Sequence, residues 1–95
     1  MEKILEKTFK LESQDGLHAR PAGLFVKCLS PYQVSVEVEL RGQKKNGKSI
    51  MSLMSLGALP GDEIKIVIKG SDANTEVESA LKAIENLFAR NFAVD

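Results

Sequence analysis

The chain contains one histidine, His18, set in the run Gly16–Leu17–His18–Ala19–Arg20–Pro21–Ala22. An imidazole can take up and return a group near neutral pH. Its neighbours say which group. Pro21 lacks an amide hydrogen and has a fixed φ, so it suits a first helical turn, where that donor would be unpaired anyway. A helix starting here puts His18 at or beside the N-cap. The free amides of Ala19 and Arg20 then face whatever the ring carries, at the helix end with partial positive charge. Arg20 adds a full charge on a planar fork that matches phosphate. Together these residues make an anion site centred on a nucleophilic nitrogen. A phosphoryl group on that nitrogen would have its oxygens met by amides and a guanidinium. The same pattern also suits an anion site with no covalent step, or a histidine that is only a polar cap.

The second chemical feature is Ser49, which opens the run Ser49–Ile50–Met51–Ser52–Leu53–Met54–Ser55–Leu56–Gly57. The run reads as a short helix capped by Ser49 and stopped by Gly57. Ile50, Leu53 and Leu56 cannot all share one face with Met51 and Met54, so part of the helix stays exposed. Methionine adapts to several partner shapes, which makes Ile50, Met51 and Met54 a candidate docking surface. The plainer alternative is that the methionines fill a small core. A phosphate on Ser49 would add about −1.5 to −2 charges at a helix N-terminus. The helix dipole tolerates that charge, and an acidic partner surface would be repelled by it. The plainer reading of Ser49 is an ordinary N-cap.

The elements that must position these residues follow from changes of period. Residues 3–11 alternate, with Leu5, Phe9 and Leu11 on one face. A helical stripe of Ala22, Phe25, Val26 and Leu29 follows His18, and Pro31 ends it. Val34, Val36, Val38 and Leu40 alternate with Ser35, Glu37, Glu39 and Arg41, which predicts a strand with one solvated face. Gly42 to Gly47 reads as a turn and a short partner strand. After the Ser49 helix, a turn at Pro60–Glu63 leads into a strand with Ile64, Ile66 and Ile68 on one face. A last helix carries Val77, Ala80, Leu81, Ile84, Leu87 and Phe88, with Asp72 or Asn74 as its cap. The order is β-α-β-β-α-β-α. It predicts an α+β fold, an open-faced sandwich with helices on one side of an antiparallel or mixed sheet and a polar face on the other.

Composition narrows the partners. The 95 residues fit one domain, 1–95. Lys plus Arg and Asp plus Glu each number 13, for a net charge of +0, which argues against a nucleic-acid binder. One cysteine and one histidine allow neither an internal disulfide nor a zinc site, so no metal is expected. Cys28 lies one position off the apolar stripe and reads as a half-buried structural thiol. No apolar run approaches a membrane span of about 20 residues, and the N-terminus is not a signal peptide. A cytoplasmic protein without membrane insertion is the expectation. Arg41, Lys44, Lys45 and Lys48 form a basic cluster, which reads as an acid-binding patch or simply a solvated hairpin.

The run from Gly16 to Ala22 resembles the active-site signature of the histidine-containing phosphocarrier proteins, the HPr family of the phosphoenolpyruvate-dependent sugar phosphotransferase system. Residues 47–57 resemble that family's regulatory serine segment, in register with the first motif. The resemblance covers essentially the whole chain. It implies a four-stranded antiparallel sheet with three helices. It implies that His18 accepts phosphate through Nδ1 from phosphorylated enzyme I and passes it to sugar-specific permease components. Arg20 would steady the phosphate, and the backbone of Ala19 and Arg20 would bind it. Ser49 would be the target of an HPr kinase/phosphorylase, with a transcription regulator as a further partner. The protein would be a monomeric carrier rather than a self-contained enzyme, with no cofactor. Ser52 departs from the family pattern where many members have glycine, as do Lys45 and Gly47 beside the serine and Gly23 after the Pro–Ala pair.

Two other functions compete. One is a regulatory binding module acting mainly through phosphorylated Ser49 in catabolite control. The other is a small nucleic-acid-binding domain, which predicts a basic or aromatic sheet face; Glu37 and Glu39 oppose it.

Overall fold

The computed structural model describes residues 1–93. Its elements are β1 (Glu2–Lys10), α1 (Ala19–Leu29), β2 (Ser35–Leu40), β3 (Gln43–Asn46), α2 (Ile50–Ser55), β4 (Glu63–Ser71) and α3 (Glu76–Ala89). The four strands form one sheet in the order β1-β4-β2-β3, and every neighbouring pair is antiparallel. Three helices lie on one face, as the order of elements predicts.

Strand register explains the two faces. Leu5 lies opposite Ile68, and Ile68 opposite Val36. Ile66 lies opposite Val38. With Phe9, Ile64 and Leu40 these side chains form the sheet's share of the core. Ala22, Phe25 and Leu29 of α1, Leu53 of α2, and Val77, Ala80, Ile84 and Leu87 of α3 close over them. On the other face Glu6 and Glu37 flank Val67, and Lys65 pairs with Glu39 at 3.4 Å. That face is polar, as expected of a sheet covered on one side only.

Two expectations about element ends need correction. The first strand stops at Lys10, one residue before the expected end. Leu11 is still fully buried. Its amide donates to the Asp62 carbonyl at 2.8 Å, and its carbonyl accepts from Gly61 at 2.6 Å, so it leaves the ladder for the turn before β4. The N-cap of α3 is Thr75, neither Asp72 nor Asn74. Asn74 still serves the helix start, because its Oδ1 accepts from the Glu76 amide at 3.0 Å. Asp72 pairs with the terminal amino group at 3.3 Å instead.

The edge strand β1 carries two charges on its helix-side face. Lys3 pairs with Glu78 and Lys7 with Glu85 of α3, the latter at 2.6 Å. Inward-pointing lysines on an edge strand discourage another strand from adding there, and here α3 supplies their counter-charges.

Candidate functional site

α1 begins at Ala19, and His18 is its N-cap, extended at φ −87° and ψ −168°. Its carbonyl accepts from the Ala22 amide at 3.0 Å, the first bond of the helix. Its ring caps nothing and is exposed. Pro21 is the third helical residue, inside the first turn, so the amides at the helix mouth belong to Ala19 and Arg20. Among the described residues, no backbone acceptor takes either amide. The structure thus sets an exposed imidazole next to two helix-end amides that no backbone carbonyl takes.

The loop ahead of His18 is fixed from the other side. The Leu17 amide donates to the Ala58 carbonyl at 3.2 Å. Gly16 adopts φ +71°, and a Cβ there would stand 2.2 Å from the Ala58 carbonyl oxygen. Only glycine allows this approach. It brings the segment after α2 against the segment before α1. The result is a pocket of about 290 Å³ lined by Asp15, Leu17, His18, Met54, Gly57, Ala58 and Leu59. Sequence reasoning found His18 and Met54 but missed the others. Leu59 is 63% exposed, a large apolar side chain on the pocket rim. The available signal was Gly16, whose freedom a turn or a close approach would require.

Arg20 does not line this pocket. Its Nη1 donates to the carbonyl of Phe92, beyond the end of α3, at 2.7 Å. The guanidinium is thus anchored across the α1–α3 interface.

Ser49 is the N-cap of α2, as expected, and its Oγ accepts from the Ser52 amide at 3.2 Å. Serine in place of glycine at position 52 leaves this bond unchanged, because the donor is backbone. Gly47 has a packing reason: a Cβ there would lie 2.6 Å from Val36 Cγ1, and its amide donates to the Val36 carbonyl at 2.7 Å. Lys48 Nζ donates to the Tyr32 carbonyl at 2.7 Å, tying the loop before Ser49 to the far end of α1. Ser49 is absent from the His18 pocket, since Met54 and Gly57 reach it from the other end of α2. Ile50, Met51 and Met54 are exposed by 42, 81 and 44%, so the apolar surface expected on this helix is present.

Cys28 is half-buried, and its thiol donates to the Phe25 carbonyl at 3.2 Å. Burial pushes the thiol up to about 11, with Arg90 opposing it weakly. A protonated, hydrogen-bonded thiol is structural, as expected. Among the described residues no group of three potential metal ligands occurs. No helix among them is long and apolar enough to cross a membrane.

Comparison with known proteins identifies the family of the chain. The family model "PTS HPr component phosphorylation site" matches residues 5–90. The chain is 38% identical over 89 residues to the phosphocarrier protein HPr of Treponema pallidum, covering 94% of this chain and 97% of that one. It is 37% identical over 82 residues to the HPr-like protein Crh of Halalkalibacterium halodurans, covering 86 and 98%. The crystal structure of HPr-C-His from Thermoanaerobacter tengcongensis superposes with a TM-score of 0.85 at 38% identity, covering 96% of this chain and 98% of that one. The family match takes in both the His18 and Ser49 segments, strands β2 to β4 and most of β1, and the chain belongs to the HPr family of the sugar phosphotransferase system.

Proposed function

We propose that His18 accepts a phosphoryl group on Nδ1 from phosphorylated enzyme I and passes it to sugar-specific permease components. The observation that carries this reading is the exposed His18 ring at an extended N-cap, beside the unclaimed amides of Ala19 and Arg20. The ring nitrogen attacks phosphorus in line, and the donor's bond to phosphorus breaks. Ala19 and Arg20 supply amides to the phosphoryl oxygens, and the Arg20 guanidinium supplies charge. These donors are fixed before the group arrives, so little reorganisation is needed. The protein's part is that of a phosphoryl-transfer intermediate rather than a self-contained enzyme, which is what its family does.

A carrier must bind several partners without staying bound to any. The exposed side chains of Met54 and Leu59 on the His18 pocket, with those of Ile50 and Met51 on the same short helix as Met54, provide an apolar, adaptable surface for this. The reading makes the protein a cytoplasmic monomer, one domain over residues 1–95. The test is incubation with phosphoenolpyruvate and enzyme I: an acid-labile phosphate should appear on the wild type and not on His18→Ala. Equal labelling of both would end the proposal.

A second reading is favoured by the Crh relative and by Ser49 at the cap of an exposed apolar helix. In it, an HPr kinase/phosphorylase phosphorylates Ser49 and the product binds a transcription regulator in catabolite control. Labelling from ATP that survives Ser49→Ala would exclude it.

A further inference from the structure

α3 does not end on a glycine. Its C-cap is Arg90, and the next two residues, Asn91 and Phe92, both lie in the left-handed region at φ 52° and 58°. The Phe92 amide donates to the Leu87 carbonyl at 3.0 Å, and the Asn91 amide to the Phe88 carbonyl at 3.0 Å. These are the two bonds of a Schellman ending, which needs the left-handed conformation at one residue. Asparagine tolerates it there. The second left-handed residue is a bulky aromatic, where the conformation is unusual and costs free energy. Such a backbone persists only where its surroundings impose it.

The surroundings are on hand. Phe92 is fully buried. Its ring meets Phe88 edge-on with centroids 4.9 Å apart, and Phe88 stacks on Phe9 of β1 at 4.5 Å. The cluster pins Phe92 to the sheet and turns its carbonyl outward, where it accepts from Arg20 Nη1 at 2.7 Å. Arg20 is the second residue of α1, and side chains in a helix lean toward the N-terminus, here toward His18. One arm of its fork is held by Phe92. The other arm carries the donors that a phosphoryl oxygen would take. The family match ends at residue 90, so Phe92 lies outside the matched segment.

We propose that Phe92 is a positioning residue for Arg20. The aromatic cluster and the left-handed turn fix its carbonyl, and the carbonyl holds the guanidinium ready for the phosphoryl group on His18. This rests on the reading of His18 and Arg20 as the phosphate site. The role is exerted through Arg20 alone, which sets it apart from a general effect on folding.

The test is a double-mutant cycle on the rate of phosphoryl transfer from phosphorylated enzyme I. Phe92→Ala should slow transfer about tenfold when Arg20 is present, and by less than about twofold in an Arg20→Ala background. Phe92→Leu, which keeps a large apolar side chain to bury and so hold the backbone carbonyl in place, should recover most of the loss. Val77→Ala, a core change on the same helix but distant in sequence, should leave the rate unchanged. If Phe92→Ala does not fold, Phe88→Leu replaces it, removing both aromatic contacts of Phe88 while keeping an apolar side chain there. Equal slowing in both Arg20 backgrounds, or no slowing in either, overturns the proposal. A second readout needs no phosphate: exchange of the Arg20 guanidinium hydrogens, followed by NMR, should be faster in Phe92→Ala. Unchanged exchange overturns the tether, whereas a wild type that takes no label overturns the phosphocarrier reading instead.

Discussion

His18 and Met54, one at the N-cap of α1 and the other in the six-residue helix α2, line the same pocket. They are far apart in the chain. What joins them is the Leu17 amide on the Ala58 carbonyl and the close approach that Gly16 permits. If His18 carries the phosphoryl group as proposed, a partner's reacting group approaches it over this pocket, and the apolar contact and the chemistry share one surface.

That sharing makes a kinetic prediction. Met54→Glu places a charge where a partner packs and leaves the His18 cradle intact. It should raise the KM of enzyme I for this protein by about tenfold with little change in kcat. A fall in kcat at constant KM would mean that Met54 acts on the chemistry and not on docking.

Gly47 is a stability determinant. Its missing Cβ leaves room for Val36 Cγ1, which would otherwise be 2.6 Å away in the middle of a packed strand. Gly47→Ala should cost about 1–3 kcal/mol, as overpacking does. Urea unfolding should show a lower midpoint at unchanged slope. Phosphate uptake by the folded variant should be normal, since Gly47 touches neither His18 nor Arg20.

Cys28 should resist alkylation in the native state. Burial raises its thiol from 9.0 to about 11, so at pH 8 its thiolate fraction is about a hundredfold below that of a free thiol. Iodoacetamide should react slowly with the folded protein and quickly in denaturant. The linkage has a definite sign. The folded state holds this proton more tightly, so the stabilisation is complete below pH 9 and fades as pH rises from there through about 11. Replacing Cys28 by Ala should flatten that alkaline loss, which a series of urea midpoints against pH would show.

Much of the architecture was readable because periodicity reports burial. Val36, Val38, Ile66 and Ile68 alternate in sequence and meet across the β2–β4 ladder. Pro21 located the start of α1, and Ser49 and Gly57 bracketed α2, because each residue suits one backbone position and few others. Three features were not readable. The helix-side lysines of β1 break its alternation, and only the placement of Glu78 and Glu85 on α3 explains them. The far wall of the His18 pocket depends on a tertiary approach between loops. The anchor of Arg20 comes from a residue 72 positions away, held in a backbone conformation that phenylalanine does not advertise.

The central claim is that His18 carries the phosphoryl group in a cradle made by its own helix. The most direct measurement is ³¹P NMR of the protein after incubation with phosphoenolpyruvate and enzyme I, joined to ¹⁵N spectra of the imidazole. The account predicts one phosphoramidate signal coupled to His18 Nδ1, lost in acid and absent from His18→Ala. A phosphate signal that persists in His18→Ala, or a wild-type ring that stays unmodified, would contradict it.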